Sequence, residues 1–510
     1  MTKLSRRDFL KLISGVSAGL VLTNLYPSFA SSKPQLSDKP NIIILVLDAM
    51  SARNLSLYGY ARDTTPYLSR FAERATVYHS HYAAGNFTTP ATASLLTGLY
   101  PWSHRAINIR GTIKRSLLEK TLFSLVGPEY FRLAFTQNML ADVFLRQARD
   151  QIEMHLPLTT FRLNDQPSLV SGKFQADPLI PYYAFDNSIV DYSVLSTLLL
   201  NYWNVSTWKN LKQFSVPSVD YPYGTPFNTY NYFHNEVVYE GVKSLILTLS
   251  EQRKPFLAYL HLYSPHEPYT PRKEFVDTFP SIDVPRKPEH YLSAGSVKFN
   301  ALLEYRKHYD EFILNIDSEV GSLIDVLDQE LILQNTYLFI LADHGELFER
   351  GEQGHLNPLM YDTILHIPLI VFAPGQKTRR DVFSPTSNVD ILTTILKILG
   401  KDLPPTMDGK PLPGFGGQDD YERSIFSIEA KRNSALLPLT QASISLIKGH
   451  KKLVYYLGYP GNADSFELFD LQNDIEELKD LFNKDIASAS IMKDQMLEAL
   501  ISTNESLRAS

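Results

Sequence analysis

The run Asn41-Ile-Ile-Ile-Leu-Val-Leu47 ends abruptly at Asp48. Its aliphatic residues are mostly β-branched and too few for a buried helix, so the run predicts a strand covered on both faces, as in parallel sheets. Similar runs recur at Pro255 to Leu262, Thr336 to Leu341 and Ile367 to Phe372. Helical stretches separate them. From Tyr305 to Leu333 the residues Phe312, Ile313, Ile316, Val320, Leu323, Ile324 and Leu327 fall at helical spacing, and Asn235 to Ser250 forms another such stretch. Alternating strands and helices predict an α/β fold, its mostly parallel sheet covered by helices on both faces. In such sheets ligands bind beyond the carboxyl ends of the strands. The residues there are Asp48, then Ser264-Pro265-His266, then Asp343-His344. Acids and imidazoles therefore gather where the topology places a site.

Composition narrows the chemistry. The 510 residues are 44% hydrophobic and 20% charged, enough for a large core. Asp and Glu number 55 against 49 Lys and Arg, a formal charge of -6, which argues against a nucleic-acid partner. There is no cysteine, which excludes disulfides, thiol nucleophiles, iron–sulfur clusters and Cys-ligated zinc.

Residues 1–30 read as an export signal rather than part of the fold. Ser5-Arg6-Arg7-Asp8-Phe9-Leu10-Lys11 precedes an apolar stretch from Leu12 to Leu22, then small residues at Ser28 and Ala30. The twin arginine is that of a Tat-type signal, so the Tat export machinery is an expected partner and the periplasm or exterior the expected location. Cleavage after Ala30 leaves a charge of -9 on the mature chain, because the signal carries four basic residues and one acid. No other stretch reaches membrane-spanning length.

The expected catalytic domain spans 38–412, with a Tyr-, Asn- and Pro-rich insertion at about 141–233 that would shape specificity. Beyond the flexible Pro413-Gly-Phe-Gly-Gly417, residues 418–510 form a small sheet-and-helix domain. It holds a hairpin over Ala442 to Leu457, a strand at Phe466 to Leu471 and a helix from Asp485 to Leu500.

Asp48, Asp343 and His344 make a candidate site for a divalent metal. The segment Asn86 to Gly98 (NFTTPATASLLTG) reads as a loop entering a helix, with Thr88 or Thr89 as its cap and Pro90 at its first position. Such a helix start favours an anion. A threonine hydroxyl beside a metal is a competent nucleophile. His266 (in SPHEPY) and His355 (in GEQGH) are candidates for contacting the transferred group or protonating its leaving oxygen. His261, inside a strand, is expected to support the site from outside at best.

These segments occur together in a recognisable order. PNIIILVLDAM, TTPATASLLTG, PFLAYLHLYSPHEPYTP, LFILADHGELFERGEQGH, YDTILHIPLIVFAPG and the closing FELFDLQNDIEELKDL resemble the sulfatase family of the alkaline phosphatase superfamily over nearly the whole mature chain. The resemblance implies a sheet covered on both faces, a smaller C-terminal domain and one divalent ion (Mn, Zn, Ca or Mg). It implies Asp48, Thr88, Asp343 and His344 as ligands, and Thr88, His266 and His355 as catalytic residues. Its expected substrates are small-molecule, glycan or lipid-headgroup esters.

The departures matter as much. Family sulfatases oxidise a Cys or Ser to formylglycine within a Cys-x-Pro-x-Arg pattern; here the aligned positions are Thr88 and Thr92. Threonine cannot yield that aldehyde, because its β-carbon bears a methyl group. Asp48 is followed by Ala49 where many members place a second aspartate, and Asp343 by His344 where many place Asn. The set resembles the superfamily's threonine-dependent phosphotransferases and phosphodiesterases. The expectation is a secreted, metal-dependent hydrolase of phosphate or sulfate esters using a Thr88 alkoxide, with phosphate favoured. The alternatives are a phosphoglycerol- or phosphoethanolamine-type transferase, a sulfatase with an unorthodox nucleophile, and an inactive sulfatase-like binding protein.

Overall fold

A computed structural model describes residues 39–163, 217–228, 231–280, 282 and 284–508. The expected signal segment lies outside the described residues, as does much of the expected insertion.

The eight strands of the central sheet are, in chain order, β1 (Asn41–Leu47), β2 (Thr76–Tyr78), β3 (Phe131–Thr136), β4 (Met154–Leu156), β5 (Phe256–Leu262), β6 (Thr336–Leu341), β7 (Leu369–Phe372) and β8 (Arg380–Val382). In space they run β8–β2–β7–β6–β1–β5–β3–β4. Parallel pairing joins β6, β1, β5, β3 and β4, while β7 runs antiparallel to both β6 and β2. The sheet is therefore mixed, with a parallel centre. Strand β4 and the helix Met139–Gln147 fall inside the stretch expected to be an insertion; β4 is an edge strand of this sheet.

The longer helices are α1 (Pro66–Ala72), α2 (Thr88–Thr97), α3 (Met139–Gln147), α4 (Asn235–Ser250), α5 (Phe299–Gln329), α6 (Val389–Ile398) and α7 (Ile486–Arg508). Alternate residues of β1 feed two cores. Ile43, Leu45 and Leu47 pack with residues of α1, α4 and α5, whereas Ile42, Ile44 and Val46 pack with residues of α2, α3 and α6. Every one of these six side chains is buried. Each stabilises the fold by about 1.5–3 kcal/mol relative to an exposed position. Burial on both faces explains why the run carries no polar alternation.

A second sheet is formed by β9 (Ile425–Glu429), β10 (Ala442–Lys448), β11 (Lys451–Leu457) and β12 (Ser465–Asp470), antiparallel and in chain order. Helix α7 packs Ala489, Met492, Met496 and Leu500 against it. No helix among the described residues is long and apolar enough to cross a membrane.

Strand register places the site. Val46 pairs with His261 on one side and Leu341 on the other, and Thr136 pairs with His261. Side chains alternate between faces with a period of two residues. Two steps beyond that row come Asp48, Asp343 and Asn138, all on the face covered by α2. Polar side chains from three strands thus emerge side by side.

Candidate functional site

Thr88 is the first residue of α2. The residue capping that helix is Phe87, and neither threonine side chain makes a capping hydrogen bond. Pro90 is third in the helix rather than first. This corrects the expected cap, and the physical reason is visible: the Thr88 hydroxyl is engaged elsewhere. Its Oγ1 lies 3.3 Å from His344 Nε2 and accepts from Asn138 Nδ2 at 3.1 Å. The Thr89 hydroxyl is buried with no polar partner. Of the two threonines, only Thr88 addresses the acid cluster.

Asp48 ends β1 and is followed by Ala49, which holds a left-handed backbone at φ 60°. That conformation is unusual for a residue bearing a Cβ. It persists because both faces of the turn are tied. Ala49 N–H donates to Asp343 Oδ1 at 3.2 Å, and its carbonyl accepts from the Tyr309 hydroxyl at 2.6 Å. The loop after β6 is equally constrained. A Cβ on Gly345 would lie 2.2 Å from the Thr363 carbonyl oxygen, so only glycine lets the two segments approach.

Asp48 Oδ1, His261 Nε2 and Asp343 Oδ2 are buried atoms without a hydrogen-bond partner. One ligand atom from each of these residues lies within 4.8 Å of the others. An unpaired buried polar group costs about 1–3 kcal/mol, so three together form a costly arrangement in the absence of a ligand. Two carboxylates and an imidazole are suitable donors for a divalent ion. The residues therefore fit the metal that the sequence implied, with one correction. His261 is not an outer support: its Nε2 lies 3.4 Å from Asp48 Oδ2 and 3.7 Å from Asp343 Oδ2. Its Nδ1 meets the Tyr259 hydroxyl at 3.2 Å, which sets the ring orientation.

His344 stands on the Thr88 side, its Nε2 3.6 Å from Asp48 Oδ1 and 3.5 Å from Asp343 Oδ2. The Gly345 carbonyl 2.9 Å from Nδ1 takes the ring proton and leaves the Nε2 lone pair facing the cluster. His266 is arranged similarly, with Nδ1 2.9 Å from the Glu267 carbonyl. The rings of His266 and His355 are 4.9 Å apart, and those of His344 and His355 are 4.2 Å apart. Asp48, Thr88, His266, Asp343, His344 and His355 therefore share one site. His261 and Asn138 join them. Asn138 had no signal of its own in the sequence, since a lone Asn after a strand usually caps a helix. It does that too, accepting from Leu140 N–H through Oδ1, while Nδ2 reaches Asp48 and Thr88.

The electrostatics follow from close packing of like and unlike charges. Burial works to raise the Asp48 carboxyl, but His266, His261 and His344 overcome it and hold the group well below the usual carboxylate range. Burial works to lower His261, and the two aspartates outweigh it and raise its pKa. His266 is also raised, against its burial, by Asp48 and Glu346. Burial lowers His344, and it lowers His355 to about 4 with help from His266. Burial pushes Glu346 up to about 8. Titratable groups with such divergent environments mark a chemical site.

Comparison with known proteins agrees. Residues 40–401 match the family described as Sulfatase, and residues 351–505 match N-sulphoglucosamine sulphohydrolase, C-terminal. The choline-sulfatase of Rhizobium meliloti is 23% identical, with 87% of this chain and 82% of that protein covered. The uncharacterized sulfatase YidJ of Escherichia coli is 22% identical, covering 92% and 88% respectively. The crystal structure of the phosphonate monoester hydrolase of Agrobacterium radiobacter superposes with a TM-score of 0.65 at 18% identity, covering 92% of this chain and 96% of that one. Fold and family match together define an ester hydrolase. The chain belongs to the sulfatase family, whose enzymes use a metal ion.

Proposed function

We propose that this protein is an exported, metal-dependent hydrolase that transfers a phosphoryl or phosphonyl group from an ester to Thr88 and then to water, with sulfate esters as poorer substrates. The observation carrying this reading is the Thr88 hydroxyl, 3.3 Å from His344 Nε2 and 3.1 Å from Asn138 Nδ2 beside the buried acid cluster.

Asp48, His261 and Asp343, with His344, would hold the divalent ion. When bound, it supplies charge that stabilises a deprotonated hydroxyl and neutralises nonbridging oxygens of the ester. The protein does the rest. The Asn138 side-chain amide donates from Nδ2 to Thr88 Oγ1 and the hydroxyl points at His344, which aligns the oxygen for in-line attack. The Thr88 Oγ–P bond forms as the bond from phosphorus to the leaving oxygen breaks. His266, raised towards its charged form, is placed to give that oxygen a proton. Backbone N–H groups in the first turn of α2 favour the anionic group. Water then attacks the same phosphorus and the Thr88 Oγ–P bond breaks, which frees the phosphate or phosphonate product and restores the threonine hydroxyl. Water would attack a sulfated threonine only slowly, and the aldehyde hydrate that expels sulfate by elimination cannot form at a threonine.

The test is an ester panel with added metal. Bis-p-nitrophenyl phosphate or a phenyl phosphonate should turn over faster than p-nitrophenyl sulfate. Thr88→Ala should lower kcat by about a thousandfold or more. Equal rates on the sulfate ester would overturn the phosphate preference. Full activity in Thr88→Ala would remove Thr88 as the nucleophile.

A further inference from the structure

Glu346 is fully buried, three residues beyond Asp343. Its backbone is pinned, Gly345 N–H donating to the Ile364 carbonyl at 2.7 Å and Glu346 N–H to the Thr363 carbonyl at 3.0 Å. Its Oε1 lies 3.0 Å from His355 Nδ1. The far end of His355 is anchored to a different segment: its carbonyl accepts from Asn86 Nδ2 at 3.1 Å, two residues before Thr88. Asn86 also donates to the Asn357 carbonyl at 2.8 Å. His355 is therefore held by its backbone to the loop bearing the nucleophile, and by its ring to the loop bearing Asp343 and His344.

The neighbouring histidines are oriented differently. The Nδ1 atoms of His266 and His344 face backbone carbonyls, 2.9 Å away in each case. His355 alone of these three has a carboxyl group against Nδ1. A backbone carbonyl fixes a ring but stays neutral, whereas a carboxyl group can also respond to charge arriving on the imidazole, as in histidine–carboxylate pairs generally.

Resting on the Thr88 reading above, we propose that Glu346 is a positioning residue that fixes the His355 ring, so that Nε2 is the nitrogen presented to the ester. Glu346 does not touch substrate in this arrangement. Among the three histidines, the ring its carboxyl oxygen meets within hydrogen-bond distance is that of His355.

The proposal is tested with Glu346→Ala, Glu346→Gln and His355→Gln in the full-length, metal-loaded protein. Glu346→Ala should lower kcat for bis-p-nitrophenyl phosphate by about tenfold to hundredfold, with KM within about twofold. Glu346→Gln should recover part of the loss, since its amide oxygen can still accept from Nδ1. In a His355→Gln background Glu346→Ala should cost far less in kcat, keeping only its smaller electrostatic effect on His266. Metal content should be unchanged. An equal loss in that background, or loss of metal in parallel with kcat, would overturn the proposal. An independent readout is the 15N resonance pair of the His355 ring, which should shift in Glu346→Ala whether or not any ester is turned over. An unshifted pair would also overturn the proposal. A shifted pair in a protein whose Thr88→Ala variant stays fully active would sink the Thr88 reading and leave the positioning role standing.

Discussion

Among the buried charge clusters of the described residues, two are built on opposite plans. In the first, Lys452 of β11 donates to Asp362 Oδ1 at 2.8 Å and to Glu477 Oε1 at 2.6 Å. The second oxygen of Glu477 accepts from Asp362 N–H at 2.8 Å. None of the three has an orphaned atom. In the second, Asp48, His261 and Asp343 each keep one buried atom without a hydrogen bond, facing oppositely charged neighbours only at 3.4–3.7 Å. Both clusters are buried, so the contrast does not come from different exposure. A cluster that joins two segments of chain closes its hydrogen bonds, whereas one that receives a ligand leaves them open and relies on the ligand to close them.

That contrast can be broken at either end. The largest effect is expected at the closed cluster. Lys452→Met leaves two carboxylates buried without their cation and should cost about 3–5 kcal/mol in denaturant unfolding, with metal content unchanged. A cost below about 1 kcal/mol would mean that the closed network contributes little. At the open cluster the expected effect runs the other way. Divalent ion at about a hundred times its Kd should stabilise the metal-free protein by about 2.7 kcal/mol, and Asp343→Asn should abolish that gain. An equal gain in the variant would place the ion elsewhere. A third arrangement refines the comparison. Asp317 is a buried carboxylate served by backbone, accepting from Tyr67 N–H at 2.7 Å and Leu68 N–H at 2.9 Å, and burial pushes it up to about 7. Its folded pKa exceeds its unfolded one, so the folded state binds the extra proton. Its contribution is whole below about pH 4 and is lost as pH rises to about 7, by up to about 1.4 kcal/mol per unit. Asp317→Asn should flatten the pH dependence of stability in that window, and an unchanged slope would show that the carboxyl titrates normally.

Much of this was legible in the amino-acid order. A double-faced aliphatic run has few alternatives to a central strand, so β1, β5 and β6 stood out, and α5 declared itself by periodicity. Strand β3 was not found, because Arg132 interrupts its apolar pattern; the structure shows that guanidinium paired with Glu153, its Nε 2.9 Å from Oε2. The acids at strand ends were visible because a polar residue after an aliphatic run is conspicuous. His261 was underrated for a related reason. It lies inside its strand, and only the register with Val46 puts its ring on the face shared by Asp48. Asn138 depends on the same register through Thr136, which local sequence does not reveal. Thr88 was found by alignment with a family pattern, while its release from capping required coordinates.

The sheet face that gathers Asp48, Asp343 and Asn138, with His261 one pleat before them, has a consequence for assembly. Since β1 is aliphatic on both sides, sliding it by one residue would keep every methyl group dry and forfeit little burial. The same slip would turn Asp48 away from its partners and scatter the ion's ligands. Greasy contacts alone are a poor judge of alignment here. The polar residues discriminate where they do not, because only the native register brings Asp48, His261, Asp343 and Asn138 together.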